Sequence, residues 1–226
     1  MNYLPPLELI APHASPNHIT ASVIWLHGLG ADGYDFEPVV KQLFRDQAFN
    51  SVRFILPHAP EMPVTRNNGY IMPAWYDIYG VIPIQQEDEA GIKASQRYIE
   101  SLIQAEIKRG IPSERIVIAG FSQGGAIALH TALRFPLKLG GVMALSTYLP
   151  LHSKLASEAH QANYDTPIFM AHGIFDDVIS LDMSKASRNV LQNQQYSVRW
   201  HEYAMAHSVC AEEITDIQEF LQRVLA

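Results

Sequence analysis

The sequence predicts an α/β protein: a mostly parallel central sheet with helices on both of its faces. Two observations predict this. Short apolar runs, several of them apolar at nearly every position, alternate with longer segments of helical periodicity. One of those runs also ends in Gly-Phe-Ser-Gln-Gly at 120–124 and passes directly into a helical pattern.

The strand-like runs are, in order, SVIWL (22–26), VRFIL (52–56), RIVIAG (115–120), GVMALS (141–146), PIFMAH (167–172) and VRWHEY (198–203). A run apolar on both alternating faces suits a strand covered on both sides. The clearest helix is expected over about 87–109, where Ile92, Ile99, Leu102, Ile103 and Ile107 recur at helical spacing and Gly110 supplies a stop. Others are expected over 122–134, 181–192 and 211–225. The last carries an apolar stripe of Ile214, Ile217, Leu221 and Val224, a pattern whose ordinary meaning is core packing. Right-handed crossovers between the strands follow from strand twist. The proline-rich stretch from Pro57 to Pro83 lacks periodicity and is expected as a long loop serving a site. No repeat or linker interrupts the chain, so one domain over 1–226 is expected.

Composition narrows the function classes. Acidic residues outnumber basic ones 23 to 16, and no run of five Lys/Arg exists, which argues against a nucleic-acid partner. No run of 18 apolar residues occurs, so no stable membrane insertion is expected. The N-terminus has neither a positive segment nor a long apolar one and does not read as a signal peptide. The single cysteine, Cys210, excludes an internal disulfide and suits a reducing, cytoplasmic setting. Its place at a predicted helix start would favour a thiolate, but a packing or surface role explains it as well. No His/Cys/Asp cluster has zinc spacing, so no metal is expected.

A strand that ends in G-x-S-x-G and turns at once into a helix presents its serine, here Ser122, on a tight bend with the hydroxyl exposed. Gly120 and Gly124 avoid a crowded turn, Gly125 keeps the helix close to the sheet, and the helix N-terminus brings positive potential. This is the nucleophile elbow of α/β-hydrolases. A serine needs a base to take its proton, and in that fold the chain order is nucleophile, acid, histidine. Asp176 follows the run PIFMAH across a short turn, and His207 follows VRWHEY across Ala204-Met205-Ala206. Both lie beyond carboxyl ends of strands, where ligands collect in open sheets. Spacing alone does not separate Asp176 from Asp177. Among the other histidines, His201 lies within a strand, and His27 and His172 each precede a glycine, where shaping a turn explains them equally well. An oxyanion hole needs two backbone donors, expected from Gln123, the residue after the nucleophile, and from Leu29 in the Gly-rich segment after the first strand.

The sequence resembles the acyl-protein thioesterase and carboxylesterase family, the small esterases also called phospholipase/carboxylesterases. The resemblance rests on LHGLGADGYDF (26–36), MPAWYDI (72–78), EDEAGI (87–92), GFSQGGAIAL (120–129), ALSTYLP (144–150), HGIFDDVI (172–179) and YAMAHS (203–208), in the same order across nearly the whole chain. It implies an α/β-hydrolase fold, no cofactor, and a triad on Ser122, Asp176 and His207. It places the acid at the fifth residue of the histidine-glycine block, Asp176 rather than Asp177, and the oxyanion donors on Leu29 and Gln123. Two positions depart from the family pattern: Ile174 stands where an acidic residue is common, and Ala206 where glycine is common. Neither is a triad position, but both bear on loop packing and substrate range.

The expected reaction is hydrolysis of short-to-medium acyl esters through an acyl-enzyme, with acyl-protein thioesters as a further substrate. A lysophospholipase or an acyltransferase would use the same triad. Ile71, Met72, Trp75, Tyr148 and Val178, with Leu29, are expected to wall the acyl slot. A non-catalytic relative would lose a triad residue, and a dienelactone hydrolase would carry cysteine at the elbow, where this chain has Ser122. A homodimer through an apolar surface near the site mouth is compatible with the resemblance.

Overall fold

The alternating runs assemble, in a computed structural model that describes residues 3–80 and 86–225, into a seven-stranded sheet. In chain order the elements are β1 (Leu7–Leu9), β2 (Ala21–Leu26), α1 (Glu37–Leu43), β3 (Val52–Leu56), β4 (Glu61–Val64), β5 (Tyr70–Pro73), α2 (Glu89–Lys108) and β6 (Ile116–Phe121). They continue with α3 (Gln123–Ala132), β7 (Gly141–Leu145), α4 (Leu155–Glu158), β8 (Ile168–Gly173), α5 (Leu181–Asn193), β9 (Val198–Tyr203) and α6 (Ala211–Leu225). The sheet order is β1-β3-β2-β6-β7-β8-β9. Only β1 runs antiparallel, pairing Leu7 with Leu56 and Leu9 with Phe54.

All six positions of β2 are buried, and alternation sends them to two different cores. Ile24 and Leu26 pack with Ile92, Ile99 and Ile103 of α2 and with the length of α3. Val23 and Trp25 pack with Val40 and Leu43 of α1 and with Ile217, Phe220 and Leu221 of α6. Helices therefore cover both faces, which is why these strands read as unbroken apolar runs. Among the described residues no helix is long and apolar enough to cross a membrane.

The chain moves outward from β2 to β3, then returns to lay β6 against the other side of β2. Such a reversal opens a crevice at the carboxyl ends of the two strands. At the opposite, amino ends of β2 and β3, one buried carboxylate helps hold the frame. Glu106 of α2 accepts hydrogen bonds from the Ser22 hydroxyl, from Arg53 at 3.0 and 3.1 Å and from Arg109 at 2.8 Å. Glu213, in the first turn of α6, is also fully buried, yet neither carboxylate oxygen has a hydrogen-bond partner among the described residues.

The expectation of a featureless loop over 57–83 is corrected up to residue 80: a two-stranded hairpin, β4 with β5, occupies its middle. Residues 81–83 lie outside the described residues. Pro63 and Pro73 argue against strands, but a separate two-stranded ribbon has outer edges that need no donor. Asn68 (φ 56°) and Gly69 (φ 75°) both take left-handed backbone to turn the chain. Also unforeseen were β1, three residues long, and α1, which is seven residues long and carries a proline in its first turn.

Candidate active site

The site begins at the tight bend between β6 and α3. Ser122 sits there with φ 55° and ψ −122°, a backbone conformation that costs a residue with a side chain on the order of 1–3 kcal/mol. Three hydrogen bonds hold it. Its N–H donates to the Leu145 carbonyl at 2.8 Å, and its carbonyl accepts from the Thr147 hydroxyl at 2.6 Å and from the Ala126 N–H at 3.1 Å. Gly124 shows why the bend needs glycine. A β-carbon there would stand 2.4 Å from the His27 carbonyl oxygen and 2.6 Å from that of Leu26, where neither backbone group has room to move.

His207, on the loop between β9 and α6, faces this hydroxyl. Its Nε2 lies 2.9 Å from Ser122 Oγ, and its Nδ1 lies 2.7 Å from Asp176 Oδ2. A carboxylate only accepts, so Nδ1 carries the proton and Nε2 is free to accept from the serine. The Phe121 ring packs beside the imidazole at 4.7 Å between centroids. Asp176 has its second oxygen satisfied by the N–H groups of Val178 and Ile179, each at 2.9 Å. Burial alone would raise its pKa, but the His207 bond and these backbone donors together hold it below the usual carboxylate value. Asp177, its rival by spacing, is exposed and makes no hydrogen bond to His207.

Leu29 and Gln123 both border the cavity onto which Ser122 opens. The Gln123 N–H belongs to the first turn of α3, where backbone donors lack helical acceptors and the helix dipole is positive. Leu29 lies on a loop shaped by Gly30, whose φ of 77° favours glycine and whose N–H donates to the Pro73 carbonyl at 2.9 Å. Buried His27 braces the same loop. Its Nδ1 lies 2.7 Å from the Gly28 carbonyl, and its Nε2 accepts from the Ala59 N–H at 3.0 Å. Burial lowers its pKa to about 4, so the ring stays neutral and keeps that acceptor.

The Gln123 side chain does a different job from its backbone. Its Oε1 accepts from the Trp75 N–H at 2.8 Å and its Nε2 donates to the Tyr76 carbonyl at 2.7 Å. Gln123→Met would strand both buried groups, and a stability loss of about 2–3 kcal/mol is expected in urea denaturation. An unchanged midpoint would show that the 74–76 segment does not depend on this amide.

Of the residues expected to wall the acyl slot, Leu29, Tyr148 and Val178 line the cavity, which measures about 80 Å³. Three do not. Trp75 is fully buried, donates from its indole N–H to the His27 carbonyl at 2.9 Å and packs against His27 and Tyr98. Ile71 points out of β5 and is 61% exposed. Met72 lies by Gly30, with its sulfur 3.4 Å from the Asn67 amide. Their places are taken by Tyr76, Ile78, Ile179 and Met183, which sequence reasoning missed. Tyr76 was one residue from a named candidate; Met183 carried a weaker signal, its place in the first turn of the helix after the acid loop. A larger cavity of about 520 Å³ lies beyond Tyr148 and Met183, which border both spaces.

Comparisons with known proteins agree with this architecture. The profile of the phospholipase/carboxylesterase family matches residues 7–225. Acyl-protein thioesterase 1 of Neurospora crassa is 46% identical over 210 residues, covering 89% of this chain and 86% of that protein. Its counterpart in Yarrowia lipolytica is 41% identical over 97% of this chain and 98% of its own length. Among solved structures, Arabidopsis thaliana SOBER1 superposes with a TM-score of 0.86 at 30% identity, covering 91% of this chain and 99% of its own. Zea mays acyl-protein thioesterase 2 does so with a TM-score of 0.86 at 25% identity, over 98% and 99%. A strand–serine–helix bend, a paired imidazole and carboxylate, and a family match over nearly the whole length lead to one conclusion: this chain is an ester hydrolase and belongs to the phospholipase/carboxylesterase family.

Proposed function

We propose that the enzyme cleaves short-to-medium acyl esters, and acyl-protein thioesters with them, through an acyl intermediate on Ser122. The observation that carries this is the unbroken run of polar contacts from Ser122 Oγ through His207 to Asp176, at 2.9 and 2.7 Å. His207 Nε2 takes the hydroxyl proton as Oγ attacks the acyl carbonyl. Asp176 holds the imidazole tautomer and stabilises the imidazolium, while the N–H groups of Leu29 and Gln123 bind the oxyanion. His207 then protonates the departing alcohol or thiol. Water, activated by the same imidazole, cleaves the acyl-enzyme.

The acyl length rests on volume. A cavity of about 80 Å³ at the serine is far below the roughly 300–1,000 Å³ of sites for drug-sized ligands. The thioester reading rests on the two fungal relatives, each an acyl-protein thioesterase 1. The lone cysteine supports a reducing, cytoplasmic setting. The test is a fluorophosphonate adduct located by mass spectrometry, followed by rates on a p-nitrophenyl ester ladder and on an acyl thioester. An adduct on Ser122 and a maximum at short-to-medium chains are expected. An adduct elsewhere overturns the mechanism, and a rate that keeps rising into long chains overturns the substrate range.

A further inference from the structure

His172 takes no part in the mechanism above, yet it lies against the carboxylate that orients His207. We infer that His172 is a positioning residue for the acid: its single N–H ties the loop that carries Asp176 to the end of β8 and sits against the carboxylate. The inference rests on the triad reading.

His172 is the penultimate residue of β8 and is fully buried. Its Nε2 lies 2.8 Å from the Ile179 carbonyl oxygen and 3.3 Å from Asp176 Oδ2. A carbonyl oxygen only accepts, so Nε2 must carry the hydrogen. Burial lowers the His172 pKa, which keeps the ring neutral with that one N–H, and Nδ1 has no partner among the described residues. The ring therefore has a single donor, which it gives to the Ile179 carbonyl with Asp176 Oδ2 alongside at 3.3 Å.

What it closes is a small cycle. Ile179 gives its N–H to Asp176 Oδ1 at 2.9 Å and receives the His172 N–H on its carbonyl. Strand, acid and the far end of the loop are thus linked through one residue. Asp176 Oδ2, the oxygen His172 approaches, is also the one that accepts from His207 Nδ1. Loss of the donor would leave the Ile179 carbonyl unpaired in a buried place and let the carboxylate turn away from His207. The ring itself is set by near-parallel packing on Trp200, at 6.4 Å and 13°. Trp200 is held in turn by Glu202 at 2.8 Å and by the Arg188 guanidinium at 5.0 Å over its ring.

The test compares His172→Phe, His172→Gln and Asp176→Asn in the full chain on a p-nitrophenyl ester, with the melting temperature of each recorded. His172→Phe keeps an aromatic ring against Trp200 but donates nothing. It is expected to lose about ten-fold or more in kcat, the scale of leaving one buried acceptor unpaired, with KM within about two-fold. His172→Gln, whose amide reaches for the same carbonyl, is expected to recover most of that loss. The far-downfield proton resonance of the His207–Asp176 bond should be displaced in the Phe variant and return in the Gln variant. Packing alone would not produce that pattern. A folded His172→Phe with the kcat and resonance of the parent overturns the inference. Where the Phe variant melts below the assay temperature, a kcat under one-tenth of the parent in His172→Gln overturns it, and one above supports it. Asp176→Asn separates the two levels: unchanged activity there means the triad reading itself is wrong, whereas its collapse beside an unaffected His172→Phe removes only the role of His172.

Discussion

Ser122→Ala is expected to lose on the order of 10⁶-fold in kcat while remaining folded. In other serine triads, removal of the nucleophile costs about this much, which corresponds to about 8 kcal/mol of barrier. In the proposed mechanism, base, acid and oxyanion donors all act on an acyl group that must first bond to Oγ. Among the described residues that line the cavity, the other hydroxyls belong to Tyr76 and Tyr148, which face each other at 2.8 Å, and burial raises both pKa values. Stability should change by less than about 1 kcal/mol, because Ser122 makes no side-chain cap bond to α3 and alanine retains the same backbone strain. Steady-state rates, mass spectrometry after fluorophosphonate treatment and a thermal melt measure these outcomes. A residual rate within a hundred-fold of the parent would mean that a different nucleophile carries the reaction.

Glu213→Gln is expected to stabilise the protein by roughly 3–5 kcal/mol at pH 8 and to change it little at pH 4. Glu213 is fully buried, its carboxylate oxygens lack a close hydrogen-bond partner among the described residues, and burial, opposed by the nearby Cys210 backbone N–H and reinforced by the charge of Asp216, raises its pKa from 4.5 to about 8. The folded state therefore keeps a proton that the unfolded chain has already released. Stability is highest below pH 4.5, declines as pH rises from there, and levels off above pH 8, where both states are ionised. Glutamine has nearly the same shape and no charge to bury, so the decline should vanish from its profile. Urea denaturation of both proteins at the two pH values is the measurement. A difference that does not depend on pH would show that the carboxyl finds a partner or solvent in the folded state.

The parts of the fold legible in the sequence were those where burial dominates. The five strands between the sheet edges are covered on both faces and so are largely apolar at successive positions, the half-buried edge strand β9 alternates instead, and the long helices α2 and α6 carry one stripe each. What escaped was local chemistry. The hairpin of β4 and β5 is set by Asn68-Gly69 and tolerates Pro63 and Pro73, so period and propensity both pointed away from it. For the site, Ser122, Asp176 and His207 were named from motif context, and their side chains lie within hydrogen-bond reach of one another. Spacing did not separate Asp176 from Asp177, because that choice depends on which carboxylate the loop folds under itself. Trp75 and Tyr76 were exchanged for a similar reason. Both are aromatic neighbours in MPAWYDI, and only the anchoring of this segment by Gln123 decides which ring turns toward the cavity.

The loops bearing the carboxylate and the imidazole are stitched to each other. The N–H of Ile174 donates to the Tyr203 carbonyl at 2.9 Å, and that of Phe175 to the Met205 carbonyl at 3.0 Å. The serine bend belongs to a different neighbourhood, bonded to Leu145 and Thr147 around the next strand. Backbone hydrogen bonds therefore couple the histidine loop directly to the aspartate loop, and neither of these two bonds involves the serine bend. In the proposed mechanism the proton changes hands across the 2.9 Å between Ser122 Oγ and His207 Nε2, which is the junction between these two separately anchored parts.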